Sequence, residues 1–234
     1  MRAGLILTTV MLTAASATMA RGADKDVRRI ADAVRVVDES RAAPDRTIPD
    51  AVWLKAECVA VFPGLKKGAF IIGGEFGSGV LSCRAAHGWG APAFLKLEKA
   101  SWGAQIGAES ADLMLLFMNR HGVEKLLGDH VTLGADASLA AGPVGRTGSA
   151  ATDAQLTAEV VSYSRAHGVF AGIDVSGGVI RPDDHADESL YGRPVTAKDV
   201  VLGGTVPAPA DARTFITALT DVSRSVAANE HPAR

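Results

Sequence analysis

The spacing of apolar positions changes twice along this chain. From Asp24 to Glu39, Val27, Ile30, Val34 and Val37 recur at helical intervals, while Lys25, Arg28, Arg29, Asp32, Arg35, Asp38 and Glu39 occupy the other face. Asp24 and Asp26 suit the positive N-terminal end of such a helix. The polar face carries both signs of charge, whereas a helix made to lie on an anionic membrane is richer in Lys and Arg. It therefore reads as a helix packed on a core. Pro44 to Pro49 interrupts the pattern, and a short second helix follows, with Pro49 and Asp50 near its start and Val52, Trp53 and Leu54 inside.

Short β-prone runs come next. Cys58 to Phe62 is expected to end at Pro63-Gly64, and Ala69 to Gly73 and Val80 to Arg84 read as separate strands. Ala93 to Glu98 and Trp102 to Ala108 read as hairpin arms around Lys99-Ala100-Ser101. Asp112 to Asn119 fits a buried strand or a short helix, and the turn residues that close it favour a strand. Val123 to Leu127 predicts a short helix ended by Gly128. Val131 to Ala141, Ala158 to Arg165, Val169 to Val175 and Val179 to Arg181 predict further strands, with Gly142 to Thr152 as a polar loop. Helical spacing returns in Asp183 to Tyr191, Ala197 to Leu202 and Ala210 to Ala228, the last carrying Phe215, Ile216, Leu219 and Val222 on one stripe.

Gly-Ala or Ala-Gly pairs lie in four of the expected strands, at Gly68, Gly103, Gly134 and Ala171. Glycine inside strands lets a sheet bend or lets backbones approach closely. The pattern predicts an α+β fold: a curved, Gly-rich antiparallel sheet, barrel-like, packed with the N-terminal helices and a C-terminal helix.

Composition narrows the classes. The 234 residues suit one domain at roughly 100–200 residues per domain. Apolar residues make up 47% but aromatics only 5%, so the core is built mainly from Val, Leu, Ile and Ala. A net charge of -2 provides no global basic field for nucleic acid, and any attraction to anionic lipid must come from a local patch. Residues 1–20 read as a signal peptide: Arg2, then an apolar stretch from Leu5 to Leu12, then small residues with cleavage points after Ala17 or Ala20. The expected location is the periplasm or the exterior, peripheral on a membrane or free. In such an oxidising compartment Cys58 and Cys83 form a disulfide or serve as two small buried hydrophobes.

The strings Lys55 to Pro63, Lys66 to Phe70, Gly79 to Leu81, Gly88 to Phe94, Gln105 to Gly107 and Gly122 to Leu127 resemble the SYLF domain. So do Leu133 to Ser138, Ala141 to Arg146, Ala158 to Tyr163, Gly168 to Gly172 and Tyr191-Gly192, in that order. Each string is short, but together they cover about residues 30–191, with a helical extension over 192–228. The resemblance implies a bacterial exported member of a lipid-binding and actin-binding family, with phosphoinositides as ligands of eukaryotic relatives. It implies no catalysis and no cofactor. An exported bacterial protein meets no actin in its own cell, so anionic phospholipid is the partner carried over.

Candidate lipid-binding residues are Lys66 and Lys67, expected in a turn after Pro63-Gly64, together with Lys55, Arg84 and Arg146. Arg146 sits in the Gly142 to Ser149 loop, which lacks the spacing of a nucleotide-binding P-loop, but its guanidinium suits a phosphate. Asp183, Asp184, Asp187 and Glu188 with His185 read as helix-start residues answering the helix dipole, and no metal is expected there. Asp136 reads as a structural, hydrogen-bonded residue. No Gly-x-Ser-x-Gly or His-Glu-x-x-His motif occurs. The expected function is non-catalytic binding of anionic headgroups at the cell envelope. The alternatives are an envelope protein–protein interaction module and a hydrolase assembled from distant residues.

Overall fold

The central strands are apolar on both faces, which requires packing on both sides. In the computed structural model, which describes residues 24–41, 48–68, 72–102, 110–142, 157–166 and 169–230, both sides are covered. The chain begins with helix α1 (24–41) and helix α2 (Asp50–Lys55). Five strands follow: β1 (Cys58–Gly68), β2 (Ile72–Ala85), β3 (Gly88–Trp89), β4 (Ala93–Trp102) and β5 (Ser110–Phe117). After helix α3 (Arg120–Gly128) come β6 (Val131–Thr132), β7 (Leu139–Ala141), β8 (Val160–Ala166), β9 (Val169–Gly172) and β10 (Val179–Pro182). Helices α4 (Asp184–Tyr191), α5 (Ala197–Val201) and α6 (Arg213–Glu230) complete it.

The strands form one sheet in the order β6-β10-β4-β2-β1-β5-β8-β7, with β3 paired to β2 and β9 to β8. Among the described strands only β7 and β8 run parallel. The eight strands of the main path curl strongly into a half-barrel, so the expected α+β architecture with a curved sheet holds. Successive residues of β1 point to opposite faces. Val59 and Val61 join Val80, Phe94, Met114 and Leu116 beneath α1, α2 and α6, which contribute Ile30, Val36, Trp53, Phe215 and Leu219. Cys58, Ala60 and Phe62 join Leu81, Leu95, Leu113 and Leu115 on the other face, covered by Val123 and Leu126 of α3 and Val200 of α5.

Several expected boundaries are corrected. β1 continues through Pro63-Gly64, where the register shifts against both neighbours. A bulge tolerates Pro63, which has no N–H for the ladder, and Gly64 takes a left-handed φ of 58°. Ala69 to Ile71 lie outside the described residues, while Ile72-Gly73 and the run at 80–84 belong to one strand, β2. Its glycines make room for side chains rather than turns: a Cβ at Gly79 would lie 2.5 Å from the Phe62 ring, and one at Gly77 would lie 2.5 Å from Leu65 Cδ1. Lys99-Ala100-Ser101 lies inside β4 rather than at a hairpin tip, because β4 pairs with β2 as far as Trp102. The strand expected over 131–141 is broken by a turn in which Gly134 has φ 82° and Thr132 N–H donates to Asp136. Asp136 is exposed and structural.

α1 is rotated from its expected stripe. Ile30, Ala33, Val36 and Val37 are buried, while Val27 and Val34 are only half-buried. The same rotation buries Asp26 and Arg29. Cys58 and Cys83, directly opposed on β1 and β2, are joined as a disulfide.

Candidate functional site

The rotation of α1 places its basic residues over one end of the sheet. Lys25, Arg28, Arg29 and Asp32 of α1 face Lys66 of β1, Phe76 of β2, and Lys96 and Glu98 of β4 across a groove of about 540 Å³. Pro63 and Gly64 form part of its wall. The groove therefore gathers five cationic and two acidic side chains, although the chain as a whole is net negative. Lys25, Arg28 and Lys66 lie within ion-pair distance of no carboxylate among the described residues.

Strand alternation supplies the sheet side of the groove. Phe94, Lys96 and Glu98 point to the α1 face, while Leu95 and Leu97 enter the opposite core. Lys66 is register partner to Phe76, which is partner to Glu98. Arg181 pairs with Glu98 from the neighbouring strand β10. The wall is held in place by Asp112 on β5, whose carboxylate accepts from Gly64 N–H at 2.9 Å and lies 3.5 Å from Arg35 and 3.4 Å from Arg165. One buried acid thus closes the β1 bulge and ties α1 to the sheet.

Behind the groove lies a buried polar cluster. Arg29 is 3.4 Å from Asp26 and 3.5 Å from Asp183, and its guanidinium stacks 4.7 Å from the centre of the Phe94 ring. Lys96 reaches Asp183 at 2.8 Å. Burial pushes the Asp26 carboxyl above its ordinary range, against the pull of Arg29. Burial likewise raises Asp187 to about 8; the Phe94 N–H bond and Arg29 oppose the shift, and Asp184 and Asp183 add to it. Asp183 precedes α4 and Asp187 lies in its first turn. Neither serves as a simple solvent-facing helix-start charge, since both are buried.

The other candidates from the sequence are dispersed. Lys66 stands in β1 rather than at a loop tip, and Lys67 is the next residue of that strand. Arg84 lies near the opposite end of β2 from Phe76. It is half-buried, donates to the carbonyls of Ala56 at 2.8 Å and Trp53 at 3.1 Å, and stacks on Trp89 at 4.7 Å. Those bonds hold the C-terminal end of α2 to the sheet, and burial lowers the guanidinium's pKa. Lys55 ends α2, which leads into the Cys58 end of β1, whereas Lys66 lies toward the other end of that strand. Arg146 lies outside the described residues, as do residues 1–20. Among the described residues no group of three or more His, Cys, Asp or Glu could hold a metal ion, and no helix is long and apolar enough to cross a membrane.

Lys25, Arg28, Arg29, Lys96 and Phe76 escaped the site reading of the sequence. The signal for the first three was present in their helical spacing, and for Lys96 in its alternation with Leu95 and Leu97. Only the bulge and the position of α1 show that they meet Lys66.

Residues 98–222 match Ysc84, described as Las17-binding protein actin regulator. The chain belongs to the Ysc84 family. The resemblance to the SYLF domain is thereby confirmed at family level. LAS seventeen-binding protein 3 of Saccharomyces cerevisiae is 35% identical over 170 residues, 71% of this chain and 37% of that protein. Protein YSC84 of the same yeast is 31% identical over 191 residues, 80% of this chain and 40% of that protein. The human SH3 domain-containing YSC84-like protein 1 is 31% identical over 175 residues, 74% of this chain and 51% of that protein. The chain thus spans about half or less of the length of these Ysc84 relatives. The name of the first describes that protein as a Las17-binding one. The family match runs from Glu98, at the groove, to Val222, in α6.

Proposed function

We propose that this protein is a non-catalytic binding protein of the cell envelope that docks on anionic phospholipid headgroups through the groove between α1 and the end of the sheet. The observation that carries the reading is the convergence of Lys25, Arg28, Lys66 and Lys96 from three separate elements on one concave surface, three of them without a carboxylate in ion-pair range among the described residues. Each unpaired basic group near an anionic membrane contributes about 1 kcal/mol, and salt screens the contribution. Three such groups give a reversible, salt-sensitive attachment. The Cys58–Cys83 disulfide supports export, since such bonds persist in oxidising compartments, and it agrees with a signal peptide over residues 1–20.

The test is co-sedimentation of residues 21–234 with neutral and with anionic vesicles at low and moderate salt. Binding to anionic vesicles alone is expected, weakened by salt and by the double substitution Arg28→Glu and Lys66→Glu. Failure of the folded protein to bind anionic vesicles would refute the reading. The name of the yeast Las17-binding relative favours a second reading, a protein partner docked on the same surface. That reading predicts binding to a purified partner that is indifferent to headgroup.

A further inference from the structure

The cations of the groove leave one feature unexplained. Phe76 is 58% exposed and is the exposed large hydrophobic side chain among the described residues. Along β2 its same-face neighbours are Gly74 and Ser78. Across the strands it stands between Lys66 and Glu98. A phenylalanine that completes a core has apolar neighbours on its own face; this one has a glycine, a serine and two charged residues. Glu98 is paired with Arg181, so among the described residues the cation beside the ring without a carboxylate in ion-pair range is Lys66, with Lys25 and Arg28 across the groove.

An exposed apolar ring beside one cation, with two more across the same groove, matches the layering of an anionic bilayer surface, where phosphates lie above the start of the acyl chains. Resting on the lipid reading above, we propose that Phe76 is a membrane-inserting residue. When the groove cations meet the phosphate plane, the ring passes below it into the acyl boundary. The groove end of the sheet then faces the membrane, and the end carrying the Cys58–Cys83 disulfide and α3 points away. Charge complementarity favours a lipid surface over an apolar protein groove, because an apolar pocket would have to desolvate Lys66 beside the ring.

Depth measured by a nitroxide label tests the proposal. Both native cysteines are paired, so Phe76→Cys provides a single free thiol, and Glu124→Cys, exposed on α3, provides the control. On anionic vesicles the label at position 76 should become accessible to oxygen and shielded from a water-soluble paramagnetic relaxant. The label at position 124 should stay in water. In parallel, Phe76→Ser should weaken anionic-vesicle affinity about tenfold, the scale of burying part of a Phe side chain, with its salt dependence and Tm unchanged. A wild-type protein that binds anionic vesicles while the label at position 76 stays in water, or while Phe76→Ser binds equally well, overturns insertion and leaves headgroup binding standing. A wild-type protein that binds no anionic vesicle overturns both.

Discussion

Asp187 and Phe94, 93 positions apart, are joined by a 2.9 Å hydrogen bond from the Phe94 backbone N–H to Asp187 Oδ1. The bond docks α4 onto β4 directly behind the groove. The second oxygen, Oδ2, is buried without a hydrogen-bond partner. Burial raises the carboxyl from its ordinary 3.8 to about 8, so the folded protein holds a proton there that the unfolded chain releases near pH 4. Stability from this group is fully present below about pH 4 and is lost as pH rises through about 8. Asp187→Asn keeps an oxygen acceptor for Phe94 and cannot ionise. Thermal denaturation at pH 5 and pH 9 should show the variant gaining on the wild type by about 5 °C across that interval. Equal pH slopes for the two proteins would contradict the assignment.

The disulfide closes the loop that contains the bulge and the Gly-rich half of β2, across a sequence separation of 25. Constraining a loop of that length in the unfolded chain is worth about 3 kcal/mol. The double variant Cys58→Ala and Cys83→Ala should lose about that much stability in urea denaturation. Its vesicle binding should be retained, because the groove lies at the other end of β1.

Gly172 of β9 packs against the backbone that leaves β7. A Cβ there would lie 2.2 Å from the Gly142 carbonyl oxygen and 2.8 Å from its nitrogen. Backbone cannot swing aside as a side chain does, so Gly172→Ala should cost about 3 kcal/mol, at the upper end for overpacking. Gly128→Ala is the control: nothing lies within 4 Å of the added Cβ, and its Tm should stay close to that of the wild type.

Arg84 holds α2 to the sheet, whereas Lys66 belongs to the proposed lipid groove. Arg84→Ala removes two hydrogen bonds to the end of α2 and the stack on Trp89, and should lower stability by about 2 kcal/mol. Its vesicle affinity should match that of the wild type at a temperature where both are folded. Lys66→Glu, at an exposed strand position, should do the reverse: little change in Tm and a clear loss of anionic-vesicle binding. The same order of vesicle affinities for both variants would show that the groove does not select the cation.

How far the sequence was legible varied with the range of the interactions involved. Local patterns were readable. The helical stripes at Ile30, Trp53 and Phe215 became helices covering a sheet, and the apolar run Leu113 to Phe117 became a central strand. Breaks were misread where tertiary contacts overrode a local signal. Pro63-Gly64 reads as a turn, yet Asp112, 48 positions away, accepts from Gly64 N–H and holds the chain in a bulged strand. Lys99-Ala100-Ser101 reads as a hairpin tip, yet the partners along β2 carry the strand on. The candidate basic residues do not all meet on one surface, for the same reason. Lys55 and Arg84 are basic residues near the recognised strings, but their neighbours are the end of α2 and Trp89 rather than Lys66.

The sequence by itself determined the main element types and membership of the family, because these rest on residue periodicity and short strings. Tertiary structure decided which residues meet. The register of β1 against β2 places Lys66 beside Phe76, the Asp112 bridges hold α1 across the sheet end, and Asp183 and Asp187 sit buried behind Arg29. Each depends on contacts between positions ten or more residues apart, which neither helical nor strand periodicity encodes.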